Sequence, residues 1–314
     1  MLSHELSRFK NREVRDLAWA LLSPCIIKGE LIQDKGVIKS ISENEESLII
    51  WLENLDFEPN DLQTFLENKK TSKRLGKYFE NLLHFAFLNL SSIRETHFSI
   101  QVKQDKSTTI GEFDFLIQSD DNSRWTHLEV AVKFYLVSEE AIGSHQIKTW
   151  FIGPNRKDRL DLKLKKLYEH QLKLGSHTCG QKKLSSLGIH SLKKELVVKG
   201  YLFYNFKMNQ SLQTPDYINE YALKGWWSEL HDFPFDSLQD KFFVALNKNE
   251  WLSLFVGNQD RNLSAIQLRK AIESKEFELP LLIVEVENYE YDGWREVNRG
   301  FIVQNGWRNS TATY

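Results

Sequence analysis

Cysteine is almost missing: Cys25 and Cys179 are the only two in 314 residues, and they lie far apart. Two cysteines make neither a disulfide framework nor a cysteine-rich zinc site. His170, His177, Cys179 and His190 form a loose group, but their spacing fits no zinc pattern, so ordinary histidines in a polar loop are expected there. Long apolar runs are also missing, and none approaches the roughly 18–20 residues of a membrane span. The opening MLSHELSRFKNREVRD is polar and charged, with no apolar signal core. A cytoplasmic protein with no membrane partner is therefore expected. There is no Gly-x-x-x-x-Gly-Lys-Ser/Thr phosphate loop, no dinucleotide fingerprint, no Gly-x-Ser-x-Gly elbow and no internal repeat.

A large charge imbalance is absent too. The net charge of −2 argues against a protein that coats nucleic acid over its whole surface, but the distribution is uneven. Residues 145–199 carry 13 Lys or Arg against 4 Asp or Glu. Such a band is either a phosphate-binding surface or a solvated lysine-rich helix. The apolar fraction of 41%, with 9 Trp and 20 Phe, is ample for a core.

Apolar spacing predicts helices over residues 5–22, 43–55, 59–68, 72–90, 158–174 and 263–276. Pro24 ends the first of them and Pro59 opens the third. Gly76 inside the fourth suggests close packing on a sheet. Strands are expected over residues 96–102, 110–117, 125–137, 147–152, 195–206, 281–291 and 299–303. A hairpin is expected from 242–246 and 251–256 around Asn247-Lys248-Asn249. Residues 28–42 read as a connection or short strand, 175–191 as a polar loop, and the segment after Trp307 as frayed. The pair Trp226-Trp227, within residues 217–230, reads as core anchors ahead of base-stacking platforms.

Residues 110–133 organise the chain. Two apolar runs, IGEFDFLI and WTHLEVAVK, flank a turn rich in Ser, Asp and Asn. Strand alternation puts Glu112 and Asp114 on one face, and Glu129, Ala131 and Lys133 on one face of the neighbouring strand. A solvated ribbon face is the plain reading. Yet Glu129 and Lys133 sit inside an apolar run, LEVAVKFYL, and a preceding helix carries Glu80. Carboxylates converging from adjacent strands suit a hard cation. A lysine beside them suits phosphate chemistry.

The segments GEFDFLI and LEVAVK, after a helix bearing Glu80, resemble the core of the PD-(D/E)XK nuclease superfamily. VRDLAWALLSP, RLGKYFENLL, HLEVAVKFYL and GPNRKDRLDLKLKKLYEHQLKL more closely resemble the bacterial family of the domain of unknown function 1853. These segments span about half the chain, from residue 14 to residue 174. The resemblance implies that Asp114 and Glu129 are metal ligands and that Glu80 is a third ligand or water-orienting acid. It makes Lys133 the catalytic lysine and Mg²⁺ or Mn²⁺ the cofactor. Glutamate and lysine stand two apart in the superfamily pattern and four apart here, roughly 13 Å of strand. By analogy, residues on the helix after the lysine strand complete the site, Lys163 and Gln171 among them, with Glu112 as a further accessory acid.

The fold expected is α/β, a mixed β-sheet flanked by helices around a restriction-endonuclease-like core. Residues 1–70 form a helical segment, 71–206 the nuclease-like core, and 207–314 an α+β extension. The activity expected is metal-dependent phosphodiester hydrolysis of nucleic acid, DNA favoured. Arg156, Lys157, Arg159, Lys163 and Lys166 would grip the backbone. The alternative is a nuclease-derived binding or scaffold module with no turnover.

Overall fold

The two apolar runs become long antiparallel strands at one end of an 11-stranded mixed sheet. The computed structural model describes residues 6–29, 44–69, 74–120, 124–142, 146–207, 215–289 and 293–308. The helices that lead in are α1 (Arg12–Leu22), α2 (Glu45–Phe57), α3 (Asn60–Asn68) and α4 (Leu75–Asn89). Then come β1 (Ile93–Lys103), β2 (Thr109–Ser119), β3 (Trp125–Ile142) and β4 (Gln146–Ile152). Next are α5 (Leu160–Glu169), a 3-10 turn (Gln171–Ser176), α6 (Thr178–Ser186) and β5 (Leu192–Asn205). The last third holds β6 (Leu223–Glu229), β7 (Phe242–Ala245), β8 (Val256–Gly257), β9 (Leu263–Ser264), α7 (Ala265–Glu273), β10 (Leu281–Tyr289) and β11 (Gly293–Val303).

The sheet runs β1-β2-β3-β5-β6-β11-β10-β7-β9, with β4 on β3 and β8 on β11. The first three strands are antiparallel; β3, β5, β6 and β11 are parallel to their neighbours in that row. Alternation in β2 and β3 feeds two layers. Phe115, Ile117 and Leu128 join the main core with α4, whose Phe87 meets Phe115 edge-on at 5.0 Å. Leu116 and Trp125 join a smaller cluster with Leu174, Leu184 and Ile189.

One irregularity of this sheet positions the site. The β2–β3 ladder runs from Gln118↔Trp125 to Phe115↔Leu128 and stops. The β3–β4 ladder on the same edge begins at Leu136↔Ile152. Among the described residues, 129–135 of β3 therefore have no ladder partner on that edge, while β5 follows them without a break on the other. There Gly200 lies opposite Lys133 with φ +143°, and a Cβ on it would fall 1.6 Å from the Lys133 carbonyl oxygen. Only glycine lets β5 approach β3 so closely.

Several expectations need correction. The helix expected over residues 5–22 is interrupted: Leu6 is helical, residues 7–11 leave the helix through a turn and a bend, and α1 starts at Arg12, capped by Asn11, while residue 5 lies outside the described residues. Gly76 meets nothing within 4 Å, so it marks no close packing. The helix expected over 158–174 breaks at His170, where φ −120° and ψ −64° leave the helical region, and continues as the 3-10 turn. The loop expected over 175–191 contains α6, started by the His177 ring accepting from the Cys179 N–H. The hairpin expected around residues 247–249 does not form: β7 pairs with β10 and β9, β8 pairs with β11, and residues 248–250 make a 3-10 turn with a capping box. The start of the helix expected over 263–276 is the short strand β9. Trp227 is buried and donates to the Val137 carbonyl at 2.9 Å, and Trp226 stacks on Phe233, so both are anchors. Residues 30–42 and 309–314, expected as a connection and a frayed tail, lie outside the described residues.

Candidate functional site

Asp114 on β2 and Glu129 on β3 meet where the ladder between their strands ends. With its partner strand diverging, the Val130 N–H is left for a side chain, and Asp114 Oδ2 accepts it at 3.0 Å. Glu129 is fully buried. Its Oε1 lies 2.7 Å from His127 Nε2, and its Oε2 accepts from Gln171 Nε2 at 2.6 Å. The two carboxyls are close enough to hydrogen-bond one another when one is protonated.

Burial disfavours the charged form of both acids. It lifts Asp114 to about 8, helped by the neighbouring Glu129 and, less strongly, by Glu80. It lifts Glu129 to about 7, opposed by hydrogen bonding with Asp114 and by the Lys163 charge, and supported by Glu112. Lys163, on the first turn of α5, faces this pair. Its Nζ lies 3.5 Å from Gln171 Oε1, and its pKa is lowered by burial and by Lys133, with Asp114 and Glu129 acting the other way.

The remaining acids and Lys133 stand around this centre with partners of their own. Glu80 pairs with Lys77 at 2.9 Å, and the Lys77 amine lies 4.3 Å from the centre of the Phe98 ring. Glu112 accepts from the Ser99 hydroxyl at 2.6 Å. Lys133 forms an ion pair with Asp158. Among the described residues no group of three His, Cys, Asp or Glu side chains is arranged to hold a metal ion. The structure thus brings Asp114 and Glu129 together and leaves Glu80 out of a three-carboxylate cage.

The donor set still fits a hard divalent ion. Two adjacent carboxylates, one half-buried and one fully buried, whose charged forms lack full compensation are what Mg²⁺ or Mn²⁺ would complete. Magnesium commonly takes one or two protein carboxylates and fills its other positions with water and phosphate oxygens. The zinc group considered from the sequence does not assemble; His177 is spent as a helix cap.

The basic residues divide. Arg156 stacks on Trp307 at 5.0 Å and donates to its carbonyl. Arg159 pairs with Asp161 at 2.6 and 2.8 Å and lies over the Trp150 ring at 4.4 Å. Lys157 and Lys166 are exposed. Lys163 couples to the carboxylates.

Sequence reasoning passed over His127. The signal was there: His127 and Glu129 are two apart in one strand and share a face.

A family model described as Domain of unknown function (DUF1853) matches residues 15–303. No curated protein and no solved structure matches the chain.

Proposed function

The chain belongs to the family of the domain of unknown function DUF1853, and from that premise we propose that it is a metal-dependent phosphodiesterase acting on nucleic acid, DNA ahead of RNA. The observation that carries this is the meeting of two carboxyls, the half-buried Asp114 and the fully buried Glu129, at a break in the sheet with the Lys163 amine beside them. The order of elements supports it: a helix bearing Glu80, a strand bearing Asp114, then its antiparallel neighbour bearing Glu129. That is the order of the PD-(D/E)XK pattern, and it favours a restriction-endonuclease-like core.

In this reading Asp114 and Glu129 hold Mg²⁺ or Mn²⁺. Such an ion polarises a phosphate and lowers the pKa of a bound water. The lysine role passes from Lys133 to Lys163. Four residues of strand separate Lys133 from Glu129, and its amine is committed to Asp158. Lys163 reaches the same carboxylates from α5 and offsets the negative charge that gathers on a phosphate in the transition state. Gln171 ties Lys163 to Glu129, so the base of the site is held from two elements.

The Lys133–Asp158 pair also favours a second reading, a nucleic-acid-binding module without turnover. Cleavage of labelled single- and double-stranded DNA and RNA with Mg²⁺ or Mn²⁺ separates the two. Cutting that disappears in Asp114→Ala supports the enzyme. Salt-sensitive binding with no cutting in the wild type supports the module.

A further inference from the structure

Glu129 is gripped by two side chains, and one of them has had no task so far. His127 is fully buried, with Nε2 2.7 Å from Glu129 Oε1. The Phe113 ring stands edge-on to it at 4.7 Å and limits how the imidazole can turn. Nδ1 is buried and has no hydrogen-bond partner. A neutral imidazole carries one N–H, on either Nδ1 or Nε2. A proton on Nε2 gives the ring a bond to a carboxylate and leaves only a bare lone pair at Nδ1. A proton on Nδ1 would bury a donor with no acceptor and turn the Nε2 lone pair toward a carboxyl oxygen.

We infer that His127 is a positioning residue: its Nε2–H, together with the Gln171 amide, clamps the Glu129 carboxyl group in a fixed orientation. The two donors come from different elements, β3 and the 3-10 turn after α5. Each takes one lone pair of one Glu129 oxygen and leaves a second lone pair on that oxygen for an ion. A free glutamate would have to order its side chain on binding; this one is already ordered. The functional consequence rests on the metal reading above, whereas the clamp itself is measurable without an ion.

The test has two arms. In ion-free protein, nitrogen-15 spectra of the imidazole, assigned by the signal lost in His127→Gln, are expected to show His127 protonated at Nε2. An Nδ1–H tautomer overturns the clamp. In the second arm Mn²⁺ affinity is measured by calorimetry on wild type, His127→Phe and His127→Gln. Phenylalanine keeps the ring beside Phe113 and loses the donor; it should bind Mn²⁺ about 10–100-fold more weakly. Glutamine can place an amide N–H where Nε2 stands and should recover most of that loss. Equal losses in both variants overturn the positioning role. A wild type with the Nε2–H tautomer and no Mn²⁺ binding upholds the clamp and overturns the metal reading.

Discussion

Asp114 and Glu129 cost the protein stability for the sake of the site, and the sign is measurable. Their folded pKa values, about 8 and about 7, lie above the unfolded 3.8 and 4.5. Their contribution is fully present below the unfolded values and is lost as pH rises through the folded ones. His84 and His127 act oppositely. Both are lowered from 6.5 to about 4 by burial, so their contribution is lost as pH falls through that range. Between about pH 6.5 and 8 the two histidines no longer titrate, and the carboxylates should make ion-free protein lose stability as pH rises. Buried Asp16, raised by burial, acts in the same direction, and Lys163 and Lys199, lowered by burial, act against it. Asp114→Asn keeps an acceptor for the Val130 N–H. It should flatten that slope and raise the melting temperature at pH 8 above wild type, as thermal scans across this range would show. Arg299 and Glu296 form a buried pair at 2.5 and 2.7 Å, and the guanidinium also donates to the Trp251 and Ser253 carbonyls. Glu296→Ala strands that cation and should cost about 3–5 kcal/mol in urea unfolding.

The elements divide the chemistry differently from what strand periodicity suggested. Parity along β3 put Glu129 and Lys133 on one face, and the residue types at 80, 114 and 129 were legible in the sequence. Where the ladders stop was not. The break between Leu128 and Leu136 depends on which strands pair with β3, a long-range property that no local pattern records. For the same reason the stop of the helix at His170, which swings Gln171 onto Glu129, was invisible in a stripe of leucines that reads as one helix. The hairpin expected around residues 247–249 failed likewise, because β10 and β11 compete for its two strands. If α5 supplies the working cation, Lys163→Ala should lower cleavage on the order of 100-fold, a loss typical of removing one group that stabilises transition-state charge. Lys133→Ala should cost far less. Equal losses in steady-state assays would return the role to β3.

Across the whole molecule the site is braced from far along the chain. Trp307 donates from its indole to the Pro154 carbonyl at 2.8 Å, packs on Trp227 at 5.0 Å and carries the Arg156 guanidinium. It thereby anchors the loop that holds Asp158, the partner of Lys133. Near the other end, buried Asp16 on α1 accepts from Ser253 and from Tyr78 on α4. One hydrophobic cluster runs from Leu6 to Trp307. Residues 71–206 expressed alone should consequently lack a cooperative melt by circular dichroism, even though the proposed site residues all lie within them. The central claim is that Asp114 and Glu129 form a divalent-cation site, and calorimetric titration of Mn²⁺ into wild type and Asp114→Asn at pH 7.5 tests it most directly. Binding of Mn²⁺ to the wild type with release of protons, absent from a folded Asp114→Asn, is the result expected. A wild type that binds no Mn²⁺, or a variant that binds it equally well, would contradict the claim.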